Sequence, residues 1–80
     1  MKELIKFQAS WCGPCKALTE TFKKVEVPYT YTEVDIDENP SVAAKFQIRS
    51  VPTLVILEDG HEVSRKVGNM TVEQLKEFIA

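Results

Sequence analysis

Four consecutive apolar residues, Leu54-Val55-Ile56-Leu57, carry no polar alternation. A short run of this kind reads as a strand buried on both faces. A sheet built around such a strand needs cover on each side. In a chain of 80 residues that cover comes from helices of one domain, residues 1–80, with no room for a second lobe.

The rest of the chain supplies those helices in alternation with strands. Leu4, Ile5, Phe7 and Ala9 mark a first strand, roughly residues 3–9. Cys15, Leu18, Phe22 and Val25 then recur at helical steps, with Pro14 in the first turn, where a missing N–H costs nothing. Tyr29, Tyr31, Val34 and Ile36 suggest a second strand. Asn39-Pro40 reads as a cap and a first-turn proline opening a short helix with Val42, Ala43 and Phe46. After the buried strand, Asp59-Gly60 signals a hairpin, and Val63 and Val67 alternate with polar residues as an edge strand does. Thr71 to Gln74 reads as a capping box for a last helix burying Val72, Leu75, Phe78 and Ile79. The predicted order is βαβαββα, an α/β fold with a four-stranded mixed sheet and helices on both faces. A right-handed crossover makes the first two strands parallel neighbours.

Charge and hydropathy exclude several function classes. A net charge of −2 points away from nucleic acid and anionic membrane surfaces as main partners. No apolar run approaches the ~20 residues of a membrane helix, and the N-terminus does not read as a signal peptide. A cytoplasmic location is the expectation.

The two cysteines, Cys12 and Cys15, stand three positions apart at the junction of the first strand and first helix. A bridge over so small a loop constrains little chain entropy, so stapling is a poor explanation for it. A close pair in a reducing compartment points to redox activity or metal binding. At the helix N-terminus, free N–H groups and the dipole favour an anion on Cys12, and such Cys-X-X-Cys thiols reach pKa values of roughly 3.5 to 7.5. Cys12 is therefore expected to be the exposed nucleophile. Cys15, one turn in, is expected to be buried and to resolve the mixed disulfide. Pro14 stiffens the turn and Gly13 leaves room for a partner's backbone.

The string Trp11-Cys12-Gly13-Pro14-Cys15-Lys16 resembles the thioredoxin family. So do Asp35-Ile36-Asp37-Glu38-Asn39-Pro40, Lys45-Phe46-Gln47-Ile48-Arg49, Val51-Pro52-Thr53 and Val67-Gly68, and the resemblance covers nearly the whole chain. It lacks a counterpart of the family's leading strand and helix, which makes the outline glutaredoxin-like. The resemblance implies a minimal thioredoxin fold and a protein-disulfide reductase with no cofactor beyond the cysteine pair. It also implies a cis-proline loop at Val51-Pro52 that, with Gly68, meets an extended client backbone. Trp11, flanking the motif, is expected to contact partners. The implied partners are a flavin-dependent thioredoxin reductase drawing on NADPH, and clients such as ribonucleotide reductase and peroxide-handling thiol enzymes. A monomer is expected.

Two positions depart from the pattern. Lys6 stands where thioredoxins usually carry a buried aspartate, and Glu33 where they usually carry a lysine. On adjacent parallel strands the two could pair, with Glu33 accepting the Cys15 proton and Lys6 favouring thiolate. The alternative is that both heads reach solvent. Gln8 replaces the family's usual aromatic residue.

Rival functions are separable. A glutaredoxin-like protein recharged by glutathione would share the short frame, but usually has Cys-Pro-Tyr-Cys and a late Gly-Gly pair, where this chain has Gly13-Pro14 and Gly68-Asn69. A zinc module needs four ligands. Cys12, Cys15 and the single histidine, His61, give three, and His61 reads as an exposed turn residue. No metal site is expected. Asp35, Asp37 and Glu38 lack the spacing and glycine of a calcium loop.

Overall fold

A computed structural model describes all residues, 1–80. Its elements are β1 (Lys2–Gln8), α1 (Gly13–Phe22), β2 (Thr30–Asp35), α2 (Pro40–Lys45), β3 (Thr53–Glu58), β4 (His61–Val67) and α3 (Val72–Ile79). The sheet order is β2-β1-β3-β4. β1 runs parallel to β2 and antiparallel to β3, and β3 and β4 form the hairpin.

Strand alternation divides the core in two. Leu4, Leu54 and Ile56 face α1 and α3, packing with Leu18, Phe22, Leu75 and Ile79. Ile5, Phe7, Val55 and Leu57 face the other way, beneath Val42, Phe46 and Ile48. The run 54–57 is thus buried on both faces, as its lack of alternation predicts. Complete burial of an aliphatic side chain is worth about 1.5–3 kcal/mol, so the central strands dominate cohesion.

Local chemistry sets the ends of the elements. Asp59 and Gly60 both have positive φ, 52° and 85°, as a two-residue type I′ hairpin turn requires. Thr71 and Gln74 form the capping box of α3, side chain to backbone in both directions. Arg65 on β4 donates to the Phe46 carbonyl at 2.6 Å, tying the end of α2 to the sheet edge.

Three local expectations need correction. Helix α1 stops at Phe22 and does not reach Val25, because the amides of Lys23, Lys24 and Val25 turn back to carbonyls three residues earlier and tighten the exit. Asn39 occupies the N-cap position of α2 without a side-chain cap bond. Its side-chain amide donates instead to the Asp35 carbonyl, while Asp35 Oδ1 takes the amides of Asp37 and Glu38. β1 ends at Gln8, and Ala9 belongs to the loop that delivers the cysteines.

Candidate active site at the head of the first helix

β1, an inner strand of the sheet, ends at Gln8, and residues 9–12 lead into α1. The turn is closed by the Cys12 amide donating to the Ala9 carbonyl at 3.1 Å. Cys12 is the N-cap of α1 with extended backbone, and Pro14 sits in the first turn. Cys12 and Cys15 are joined by a disulfide, with Cα atoms 5.2 Å apart. The Cys15 amide donates to Cys12 Sγ at 3.1 Å. One sulfur thus receives a helix-terminal N–H, and it is the first one.

Cys12 is less accessible than expected. It is 4% exposed and Cys15 3%. The bridge folds the first sulfur against the loop before β3, where Cys12 Sγ lies 3.8 Å from the Val51 carbonyl oxygen. The Val51–Pro52 peptide is cis. The Val51 N–H and carbonyl make no backbone hydrogen bonds, and Pro52 is fixed from the other side by the Gly68 amide on its carbonyl at 2.9 Å. Gly68 itself has φ 94°, in the region that favours glycine. Val51 thus lies against Cys12, with Gly68 bonded to the neighbouring Pro52. Trp11 stands 67% exposed on the same rim, its indole N–H donating to Asp37 at 2.8 Å.

Lys6 and Glu33 are register partners on β1 and β2. Their heads pair at 3.2 Å, but unequally: Lys6 is 0% exposed and the Glu33 side chain 43%. The reading in which both heads reach solvent fails for Lys6. The Lys6 ammonium also donates to Thr19 Oγ1, and lies 5.5 Å above the centre of the Phe22 ring. The Thr19 hydroxyl donates in turn to the Cys15 carbonyl at 3.0 Å. No direct hydrogen bond joins the Cys15 sulfur to Glu33. Glu33 reaches Cys15 only through Lys6 and Thr19, and the chain ends on a carbonyl oxygen, not on sulfur. A pocket of about 220 Å³ alongside Cys15 is lined instead by Gln8, Ser10, Lys16, Thr19 and Asp35.

Sequence reading missed Thr19. A threonine in the interior of a helix has no pattern of its own, and its role depends on which strand residue lies beneath it. His61 begins β4, at the opposite end of the β3–β4 hairpin from the Pro52–Gly68 contact. That position takes it away from the cysteines and from the zinc reading. No three His, Cys, Asp or Glu side chains converge to hold a metal ion.

Comparison with known proteins accords with this geometry. The thioredoxin family model matches residues 1–80. The thioredoxin of Staphylococcus saprophyticus is 41% identical over 80 residues, covering 95% of this chain and 77% of that protein. That of Staphylococcus aureus is 38% identical over 81 residues, with 96% and 78% covered. Among solved structures, Fasciola hepatica thioredoxin superposes with a TM-score of 0.89 at 34% identity, covering 98% of this chain and 77% of that one. A variant of Halobacterium salinarum thioredoxin gives 0.87 at 35% identity, with 98% and 71% covered. A helix-capping cysteine pair beside a proline loop, on a four-stranded sheet matched along its whole length by these relatives, places the chain in the thioredoxin family, as a thiol–disulfide oxidoreductase with protein-disulfide reductase activity.

Proposed function

We propose that the chain is a reducing electron carrier in which Cys12 attacks and Cys15 releases. The observation that carries this assignment is the Cys15 amide on Cys12 Sγ at the helix N-terminus. A thiolate is the nucleophile in disulfide exchange, and this is the sulfur whose anion the helix stabilises. The Cys12 thiolate attacks one sulfur of a client disulfide. A bond forms between Cys12 and the client, the client S–S bond breaks, and the departing client sulfur takes a proton from water. Cys15 then loses its proton and attacks Cys12 Sγ. The second client sulfur leaves, and two electrons have passed from the protein's dithiol to the client.

The free N–H and carbonyl of Val51 suit an extended client backbone, with Pro52, Gly68 and the exposed Trp11 forming the surrounding surface. Thioredoxins are recharged by thioredoxin reductase and reduce disulfide clients. For this chain the proposed donor is such a flavin-dependent reductase drawing on NADPH. The proposed clients are ribonucleotide reductase and peroxide-handling thiol enzymes, met by a monomer in the cytoplasm, where thiols are kept reduced. No helix is long and apolar enough to cross a membrane.

The test is a coupled assay of NADPH oxidation with a disulfide protein as substrate. Turnover is expected with thioredoxin reductase and not with glutathione plus glutathione reductase. The reverse result replaces the proposed donor by glutathione.

A further inference from the structure

We propose that Lys6 is a positioning residue that sets the acidity of the Cys12 thiol and the reduction potential of the pair, with Glu33 as its moderating counter-charge. The inference rests on the redox function above and deepens it.

Lys6 occupies a core position. It is 0% exposed, on the face of β1 that also carries Leu4, with Leu54 opposite on β3. A methionine or leucine would fill such a site without the desolvation cost of an ammonium group. The charge is nevertheless paired. The ammonium pairs with Glu33 Oε2 at 3.2 Å, donates to Thr19 Oγ1 and lies over the Phe22 ring. Thr19 passes the connection to the Cys15 carbonyl. The cation is therefore fixed against the second half of the helix that carries both sulfurs, one hydroxyl away from the Cys15 carbonyl in its first turn.

Its effect on the chemistry has a definite sign. The disulfide carries no charge, whereas the dithiol state carries the thiolate. A buried cation near the helix stabilises the thiolate, lowers the thiol pKa and favours the reduced form. Glu33 opposes this, but its carboxylate is half in water and is screened more than the ammonium. No charge faces Lys6 from β3, which presents Leu54. On β2 the facing groups are Glu33 and, bonded to it, Tyr31, and α1 presents Thr19 and Phe22. The other charged groups at the cysteine pair are Lys16 and Asp35, which line the pocket beside Cys15, and Asp37, held by Trp11.

The test compares the reduced wild-type protein with Lys6→Met and Glu33→Gln. Cys12 acidity is read from ultraviolet thiolate absorbance, and the dithiol–disulfide equilibrium is measured against glutathione across pH. Lys6→Met is expected to raise the Cys12 pKa by about one unit, and Glu33→Gln to lower it. Well above both thiol pKa values, Lys6→Met is expected to shift the equilibrium about tenfold toward the disulfide, which is ~30 mV for a two-electron couple. Well below them the shift vanishes, because no thiolate remains to stabilise. A shift equal at every pH would mark Lys6 as a packing residue and overturn the proposal. So would an unchanged Cys12 pKa in both variants. If Lys6→Met does not fold, Glu33→Gln decides alone, since its side chain is partly exposed: a Cys12 pKa that does not fall overturns the proposal. Disulfide reduction by the wild type is measured alongside. Normal activity with unmoved acidity removes this inference only, whereas absent activity removes the functional reading beneath it.

Discussion

Cys12 Sγ accepts the Cys15 amide at 3.1 Å, so one cysteine of the pair caps the helix on which the other rides. The two sulfurs are equally buried in the disulfide, and this bond is what distinguishes them. Replacing each in turn separates their roles. Cys12→Ser is expected to reduce client disulfides no faster than buffer. Cys15→Ser is expected to attack once and stay joined to the client, because nothing resolves the mixed disulfide. Non-reducing electrophoresis after mixing with a disulfide client reads both results. Trapping by Cys12→Ser instead would reverse the assignment.

Thr19 joins the sheet to the active-site helix through a hydroxyl that accepts from Lys6 and donates to the Cys15 carbonyl. Thr19→Val keeps the shape and removes both bonds, leaving a buried ammonium one partner short. Such a loss costs about 1–3 kcal/mol, and in a domain of this size each kcal/mol moves the melting temperature by ~4–8 °C. Thermal unfolding of the oxidised protein measures it. Thr21→Val is the control, since the Thr21 hydroxyl makes an exposed bond to the Ala17 carbonyl at 3.3 Å. An equal small effect in both variants would show that the Thr19 bridge carries no energy.

What the sequence disclosed follows the range of the forces involved. The burial of residues 54–57, the hairpin at Asp59-Gly60 and the capping box at Thr71 are written in neighbours a few positions apart, and each is found as read. The cysteine motif is equally local. Lys6 is different. From the sequence, Lys6 could equally pair with Glu33 on the neighbouring parallel strand or send its head to solvent, and nothing local decides between the two. Its burial depends on α1 lying above it and on Glu33 being its register partner across a parallel pair. Register fixes that pairing, and register is a long-range property. The covering of Cys12 by the Val51 loop is non-local for the same reason, the two standing 39 positions apart.

The hairpin turn gives a prediction free of side-chain contacts. Gly60 has φ 85°, and a Cβ built there would meet nothing within 4 Å. Gly60→Ala therefore changes only the backbone energy of a left-handed position, a cost of about 1–2 kcal/mol. Urea unfolding should show that loss with an unchanged m-value. The turn lies at the opposite end of the hairpin from Pro52 and Gly68, so disulfide reduction should keep its wild-type rate. Reduced activity in the folded variant would mean that the hairpin couples to the site.

The two tyrosines are the only ones in the chain, and both titrate above the ordinary phenol value. For Tyr31 burial is the main cause, its ring stacked on Phe22 at 4.6 Å, and the Glu33 carboxylate adds to it by accepting the phenol proton at 2.9 Å. For Tyr29 the cause is burial, with its hydroxyl donating to the Ile79 carbonyl at 3.1 Å. Folding thus favours the neutral phenols. Their contribution to stability is complete below the unfolded value of about 10 and is lost as pH rises from there through the folded values. Absorbance titration of phenolate should accordingly show the native tyrosines ionising at higher pH than those of the urea-unfolded chain. Stability to urea should fall above about pH 10, and Tyr31→Phe should flatten that fall by removing the more strongly shifted group. Coincident native and unfolded titrations would show that neither phenol is shielded, and that the packing of Tyr31 between Phe22 and Glu33 does not persist in solution.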